Sequence, residues 1–325
     1  MARGRGLVKL RDGKCWFLLT TMLELKGHEE LAGPRRWLGV QYGAFRGGRQ
    51  TWLDVWQAEL SGLGRTPANQ PYCLIVGGGQ AGISLGARLR RLRVPTIIIE
   101  KNKRPGDSWR NRYKSLCLHD SVWYDHLPYI PFPDHWPVFS PKDKIADWLE
   151  AYTLIMELVY WGSTECKSAR FDPVEGKWEV VVDREGEEIT LHPKHLVLAT
   201  GMSGMPSVPV IPGAQNFQGV QCHSSQHRGG QGWKGKQCVV VGSNNSAHDI
   251  CADLWENEAA QVTMIQRSST HVLRSETNVA TQGLPYKEGS GYPTEDVDLL
   301  FASIPYKIMH RDDINRYKTI AEMDA

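Results

Sequence analysis

The sequence predicts an α/β chain carrying two Rossmann-like units, and three observations predict it. The apolar run Cys73-Leu74-Ile75-Val76 leads into a complete Gly77-x-Gly79-x-x-Gly82 turn. A helical stretch and a second apolar run ending at Glu100 follow that turn, in the order of a strand-helix-strand unit. Residues 236–269 then repeat the plan: apolar strand, glycine turn, helix, strand and polar end.

A chain of 325 residues, 41% hydrophobic and 23% charged, has the composition of an ordinary globular protein of about two domains. Its net charge of +2 gives no reason to expect nucleic acid or an anionic membrane as partner, so a small molecule is expected. Seven cysteines, an odd number with no C-x-x-C pair, fit a reduced intracellular protein, and the expected location is cytoplasmic. No run approaches the roughly 18–20 apolar residues of a membrane span. The run CWFLLTTML imitates a short signal peptide, but ELKGHEE stands where a small-residue cleavage site belongs, so the run reads as a strand.

Residues 1–50 do not read as the start of a domain. Asp12-Gly13 marks a turn, CWFLLTTMLELK is one strand-like run, and GPRRWLGVQYGAFRGGRQ has the period of neither helix nor strand. Thr51-x-x-Asp54 is a helix-start signature, with Leu53, Trp56, Leu60 and Leu63 on one face of a helical linker over 51–70. Behind the first glycine turn, ISLGARLRRLR is helical, with Arg88, Arg90, Arg91 and Arg93 where positive charge suits the helix dipole. KWEVVVDREGEEITL alternates about a turn as an antiparallel hairpin, with Trp178, Val180 and Val182 on one face. HLVLATG reads as a buried strand ending on a glycine; Pro206, Pro209 and Pro212 stiffen a connector; and the valines of CVVVGSNNSAHDI read as a second buried strand.

Each residue of the first turn has a stated task. Gly77 permits the tight turn, Gly79 lets backbone approach a pyrophosphate, and Gly82 lets helix and strand pack closely. Gln80 and Ala81 open the helix whose free N–H groups would face that pyrophosphate, and Glu100 would accept hydrogen bonds from ribose hydroxyls. The plainer alternative is a glycine-rich loop that binds nothing. In the second turn Gly242 is kept, Asn244 replaces the middle glycine, Asn245 and Ser246 follow, and Ala247 is an accepted substitute for the third. At the end of its second strand stand Arg267 and Ser268 in place of an acid. A carboxylate there would repel a ribose 2′-phosphate, whereas a guanidinium would attract it by roughly 4 kcal/mol at about 4 Å and an effective dielectric of 20. A lone solvated arginine is the alternative. The first unit therefore suits FAD or NAD and the second NADP, and the economical pairing is NADPH donating hydride to FAD.

These motifs, in this order, resemble the flavin-containing monooxygenases over roughly residues 71–276. The resemblance rests on GGGQAG with Glu100, PGDSW ending in Trp109, YKSLCLHD at 113–120, ATG at 199–201, PSVPVIPG, FQGVQCH at 217–223 and GSNNSA. The chain is most similar to members whose FAD domain follows an NTF2-like domain. That implies an NTF2-like remnant over 1–50, the N-terminal part of an FAD-binding domain over 71–205, and an NADP-binding domain over 206–276. It also implies an NADPH-dependent oxygenation of a small organic substrate through a flavin C4a-(hydro)peroxide. Ser108 and Trp109 would lie against the flavin nucleotide, and Ser246 and Ala247 would hold the NADP pyrophosphate. His119, with its neighbour Asp120, falls where many members have an asparagine near the flavin C4a and the nicotinamide; a hydrogen-bonded structural histidine is the equal alternative.

Two departures matter. The family signature beginning at Phe217 ends on His227, and not on the Tyr or Phe of heteroatom oxygenators or the Trp of Baeyer-Villiger enzymes, which leaves the reaction subtype open. Residues 277–325 are expected to be helical or irregular and offer no strand and glycine turn returning to the flavin site, so the chain is expected to be truncated at both ends. Alternative readings are a defective nucleotide-binding product and a flavoprotein NADPH reductase without oxygen insertion. The expected partners are a small-molecule substrate and O2, with no nucleic acid, no membrane and no metal; a homo-oligomer is compatible with this reading.

Overall fold

The structure, a computed structural model, describes residues 1–39, 42–43, 46–278, 285–309 and 318. At the N-terminus β1 (Ala2–Arg11) and β2 (Lys14–Leu25) pair antiparallel about Asp12 and Gly13. Both turn residues have positive φ, 51° and 71°, the backbone that a two-residue hairpin turn requires. The second arm is the strand expected from CWFLLTTMLELK, and the first arm pairs with it. The ribbon meets the rest of the chain at an Arg5–Asp296 ion pair.

Helix α1 (Trp52–Gly62) starts at the predicted Thr51: its hydroxyl accepts the Asp54 N–H, and the Asp54 carboxylate accepts the Thr51 N–H at 2.8 Å. Of its expected apolar face only Trp56 and the following Leu63 reach a core, while Leu53 and Leu60 are exposed.

The next elements are β3 (Cys73–Val76), α2 (Gln80–Arg91), β4 (Thr96–Ile99), α3 (Asp107–Arg110), α4 (Lys142–Ile155), β5 (Tyr160–Trp161), β6 (Thr164–Asp172), β7 (Lys177–Arg184), β8 (Glu187–Leu191) and β9 (His195–Leu198). Strands β5-β4-β3-β9 form one parallel sheet in that order, and β6-β7-β8 an antiparallel one. Alternate residues of β3 and β4 face two layers, because side chains along a strand point to opposite faces. Leu74, Ile97 and Ile99 pack on Val180, Val182 and Leu191 of the antiparallel sheet, together with Trp161. Cys73, Ile75 and Ile98 pack on Ile83 and Ala87 of α2 and on Ile145, Leu149 and Tyr152 of α4. The result is three layers with the short parallel strands buried on both sides. Burying each such Leu or Ile contributes about 1.5–3 kcal/mol. The exception is β9, at an edge of the sheet: its Leu198 is 73% exposed, which corrects the expectation of a buried strand.

The second unit comprises β10 (Gln237–Val241), α5 (Asn245–Glu256) and β11 (Gln261–Ile265), with β10 and β11 parallel and in register from Gln237↔Gln261 to Val241↔Ile265. Among the described residues only one face of this two-stranded sheet is covered. Cys238 packs with Ile250 and Leu254 of α5, whereas Val239 and Val241 are 60% and 65% exposed, so the second strand is half-buried and not buried as expected. Beyond it come α6 (Ser275–Asn278) and α7 (Thr294–Ala302), whose Phe301 stacks on Tyr286. The C-terminal stretch DINRYKTIAEMDA lies outside the described residues except for Lys318.

Candidate functional site

The C-terminal ends of the parallel strands converge on the first glycine turn. The Gly77 N–H donates to the Ile99 carbonyl at 2.9 Å, and the Ala199 N–H to the Val76 carbonyl at 2.8 Å. The turn therefore sits where β3 is flanked by β4 on one side and by the late strand β9 on the other, the switch point at which open α/β sheets bind ligands. Gly77 has φ 113° and lies against Ala199, whose carbonyl oxygen a Cβ would meet at 2.3 Å. A Cβ on Gly82 would strike the Gly77 carbonyl oxygen at 2.0 Å. Gly79 differs: a Cβ there would meet nothing within 4 Å, so the backbone at the start of α2 borders open space.

Glu100 reaches the same turn. Its carboxylate accepts the Gly78 N–H at 2.8 Å and, through the other oxygen, the Asn102 backbone and side-chain N–H groups at 3.0 and 2.7 Å. With two lone pairs per oxygen, the Oε2 atom keeps acceptor capacity for a ribose hydroxyl. Beneath it Tyr160 donates to the Gly78 carbonyl at 3.3 Å; burial, and then the Glu100 charge, raise its phenol well above the usual range. Gly77, Gly79, Gln80, Ala81, Gly82 and Glu100 are thus brought to one place, with no side chain capping α2.

Ser108 and Trp109 ride on the short α3. Arg110 pins that helix to α4, donating to Asp147 and Glu150 at 2.8 and 2.5 Å, and within α3 to Asp107 at 3.0 Å. Trp109 packs on the helix-side core and Ser108 is exposed.

The segment carrying His119 is laid along the start of α4: Leu118 donates to the Ser140 carbonyl and Lys142 to the Leu116 carbonyl, at 2.9 and 3.0 Å. From there two side chains reach α5. The Tyr113 hydroxyl and the His119 Nε2 both meet Oδ2 of Asp249, at 2.6 and 3.2 Å. The bond to Asp249 holds the His119 imidazolium above its ordinary value against the opposing effect of burial. Burial would raise the Asp249 carboxyl, but the His119 and Tyr113 bonds outweigh it and lower it. Asp120 is exposed and its charge adds to the raising of His119. Asp125, close by, is pushed up to about 6, first by burial and then by Asp120.

In the second turn the Gly242 N–H donates to the Ile265 carbonyl at 3.0 Å, tying the turn to the end of β11. The Asn244 side chain accepts the Asn245 N–H at 2.9 Å, so one N–H at this helix start already has a protein partner. Ser246 and Ala247 form the first turn of α5, and the Ser243 hydroxyl reaches the Ser268 carbonyl at 3.3 Å. Arg267 is exposed just beyond β11. Gly242, Asn244, Asn245, Ser246, Ala247 and Ser268 are gathered there, whereas His119 is joined to this unit through α5 and not through the first glycine turn.

Asp249, Tyr113, Asn102 and Tyr160 belong to this site although no sequence motif assigns them a role. The one available signal was Asp249 itself, an acid one residue before the core-facing Ile250 of a helix expected to pack. His227, the residue closing the signature that begins at Phe217, is buried and bonds Asp253 of α5 at 2.9 Å. Among the described residues no group of three His, Cys, Asp or Glu side chains could hold a metal, and no helix is long and apolar enough to cross a membrane.

A family model for flavin-binding monooxygenase-like proteins matches residues 100–290. The chain is 32% identical over 241 residues to indole-3-pyruvate monooxygenase YUCCA1 of Oryza sativa subsp. japonica, covering 74% of this chain and 58% of that protein. It is 35% identical over 205 residues to probable indole-3-pyruvate monooxygenase YUCCA9 of Arabidopsis thaliana, covering 62% and 48%. The chain thus spans about half the length of the curated relatives it matches. Among solved structures, a flavin-containing monooxygenase from Stenotrophomonas maltophilia superposes with TM-score 0.55 at 23% identity, over 61% of this chain and 58% of that one. A crystal of OTEMO complexed with FAD and NADP superposes with TM-score 0.54 at 23% identity, over 64% and 40%. These structural likenesses bear on the fold.

Proposed function

The chain belongs to the flavin-binding monooxygenase-like family, and from that premise we propose that it binds FAD on the first glycine turn and NADPH on the second and oxygenates a small organic molecule. In this reading residues 71–205 serve the flavin, 206–276 the nicotinamide, and 1–50 are part of an NTF2-like domain. The single observation that carries it is the contrast at the first turn: Gly77 and Gly82 are closed in by backbone, while Gly79 opens onto empty space beside the uncapped start of α2 and the Glu100 carboxylate. That cradle fits an anionic dinucleotide with free ribose hydroxyls.

When bound, the flavin supplies a two-electron acceptor and a site for O2, and the nicotinamide supplies hydride. The chain's own residues bind and orient. Amides of Gln80 and Ala81 face the pyrophosphate and Glu100 accepts from ribose. Ser108 and Trp109 border the flavin nucleotide. Gly242, Asn244, Asn245, Ser246 and Ala247 hold the second pyrophosphate, with Arg267 and Ser268 at the 2′-phosphate. The Asn244 side chain already occupies one amide, so this second site is the looser of the two. His119, bonded to Asp249 of α5, and its exposed neighbour Asp120 are the candidate catalytic pair.

The test is anaerobic mixing of the FAD-loaded chain with excess NADPH. Bleaching of the flavin absorbance is expected; a persistent yellow colour sinks the reading. Readmitted oxygen should then be consumed in step with an oxygenated product, for which indole-3-pyruvate, the compound in the relatives' names, is the first candidate. NADPH oxidation that needs an added electron acceptor would instead mark a reductase.

A further inference from the structure

Asp249 of the second unit takes hydrogen bonds from two separate residues of the first, Tyr113 and His119. It lies on α5 one helical turn beyond Asn245, so whatever holds it also fixes the start of that helix and the glycine turn before it. The residues that hold it, Tyr113 and His119, come from a segment bonded to the start of α4 in the first unit. Both reach the same oxygen, Oδ2, at 2.6 and 3.2 Å. A carboxylate only accepts, so His119 donates from Nε2 whether it is neutral or protonated. Protonation turns that contact into a charge-assisted bond, roughly twice as strong.

We propose that Asp249 is a positioning residue that docks the second glycine turn against the first unit through Tyr113 and His119, and that protonation of His119 sets how firmly it does so. Among the described residues, few groups face this cluster. From α5 come His248, which favours the Asp249 charge, and Ser246, whose hydroxyl eases ionisation of Tyr113. From the other side come Arg112, Cys117 and Asp120. Of these only Asp120 adds to the Asp249 effect on His119. The sign follows from the direction of the His119 shift: docking is full at pH below the ordinary imidazole value and weakens as pH rises through the higher value that His119 has in the folded chain.

The proposal deepens the functional reading but is tested apart from it. Ring resonances of His119 are followed against pH in the full chain. Asp249→Asn should lower the His119 midpoint by about one pH unit or more. Tyr113→Phe should raise it, because Asp249 no longer shares its charge with a second donor. Opposite signs would show that both donors share the Asp249 charge, and an unchanged midpoint in either variant overturns the proposal. Should one variant fail to fold, the other decides. In the FAD-loaded chain, Asp249→Asn should also slow the limiting rate of flavin reduction by roughly tenfold or more and remove the His119 limb from its pH profile. Both left unchanged would defeat the positioning role. A wild-type chain that reduces no flavin would defeat the functional reading instead, leaving the resonance titration to judge the docking.

Discussion

Gly79 and Gly82 stand on the same turn, and what a side chain would meet there separates binding from folding. A Cβ at Gly82 collides with the Gly77 carbonyl at 2.0 Å, so Gly82→Ala should destabilise the fold by about 1–3 kcal/mol, seen as a lower denaturation midpoint. Gly79 has φ −81°, which any residue adopts, and open space around it. Gly79→Val should therefore cost only about 1 kcal/mol, as a poorer residue at the helix start, yet abolish FAD retention. A Gly79→Val protein purified fully yellow would refute the assignment of the first turn. Asp125 gives a pH prediction. Its carboxyl is raised to about 6 in the fold, chiefly by burial, so the stabilisation from holding it protonated is present at low pH and lost as pH rises through 6. Asp125→Asn should make the chain more stable at pH 7 than wild type, by roughly 3 kcal/mol at most, with no gain at pH 4. Residues of this kind were legible unequally. The glycines and Glu100 announce their task by spacing along the chain. Asp249 and Tyr113 act across a contact between residues 136 apart, and nothing in the local sequence of either names the other.

Elements were legible where one face of the pattern was enough to fix them. The cap of α1, the β7–β8 hairpin and both strand-turn-helix runs follow from local chemistry, whereas the burial of β9 and β10 depended on neighbours that the sequence does not specify. Three valines in a row suit a strand covered on both faces, but β10 has one helix against it and leaves Val239 and Val241 at the surface. Helix α4, unassigned from the sequence, shows its pattern once the fold is known: Ile145, Leu149 and Tyr152 recur at helical spacing and face the parallel sheet. Leu149 is fully buried and Leu154 is 74% exposed on the same helix. Leu149→Ala should thus cost about 2–5 kcal/mol, and Leu154→Ala less than about 0.5 kcal/mol. Equal losses, measured by chemical denaturation, would mean that α4 does not present this face to the sheet.

At the scale of the whole molecule the two units differ in how much holds them. The first has a parallel sheet covered on both sides, while the core of the second rests on Cys238, Ile250 and Leu254 with a few partly buried neighbours. Local opening is easiest where few buried apolar contacts oppose it, so the amides of β10, β11 and α5 should exchange with solvent deuterium well before those of β3, β4 and α4. The bonds from Tyr113 and His119 to Asp249, and the buried His227–Asp253 pair, are polar additions to that small core. Because His119 titrates above its ordinary value, its share is greatest in mild acid and declines as pH rises. Protection factors, in which the intrinsic pH dependence of exchange is removed, should accordingly fall in α5 between mildly acid and mildly alkaline pH while those of α2 stay level. In Asp249→Asn the α5 values should start lower and respond less to pH. If α5 and α2 keep the same protection at every pH in both proteins, the second unit is held by its apolar core alone and the contact at Asp249 contributes nothing to its docking.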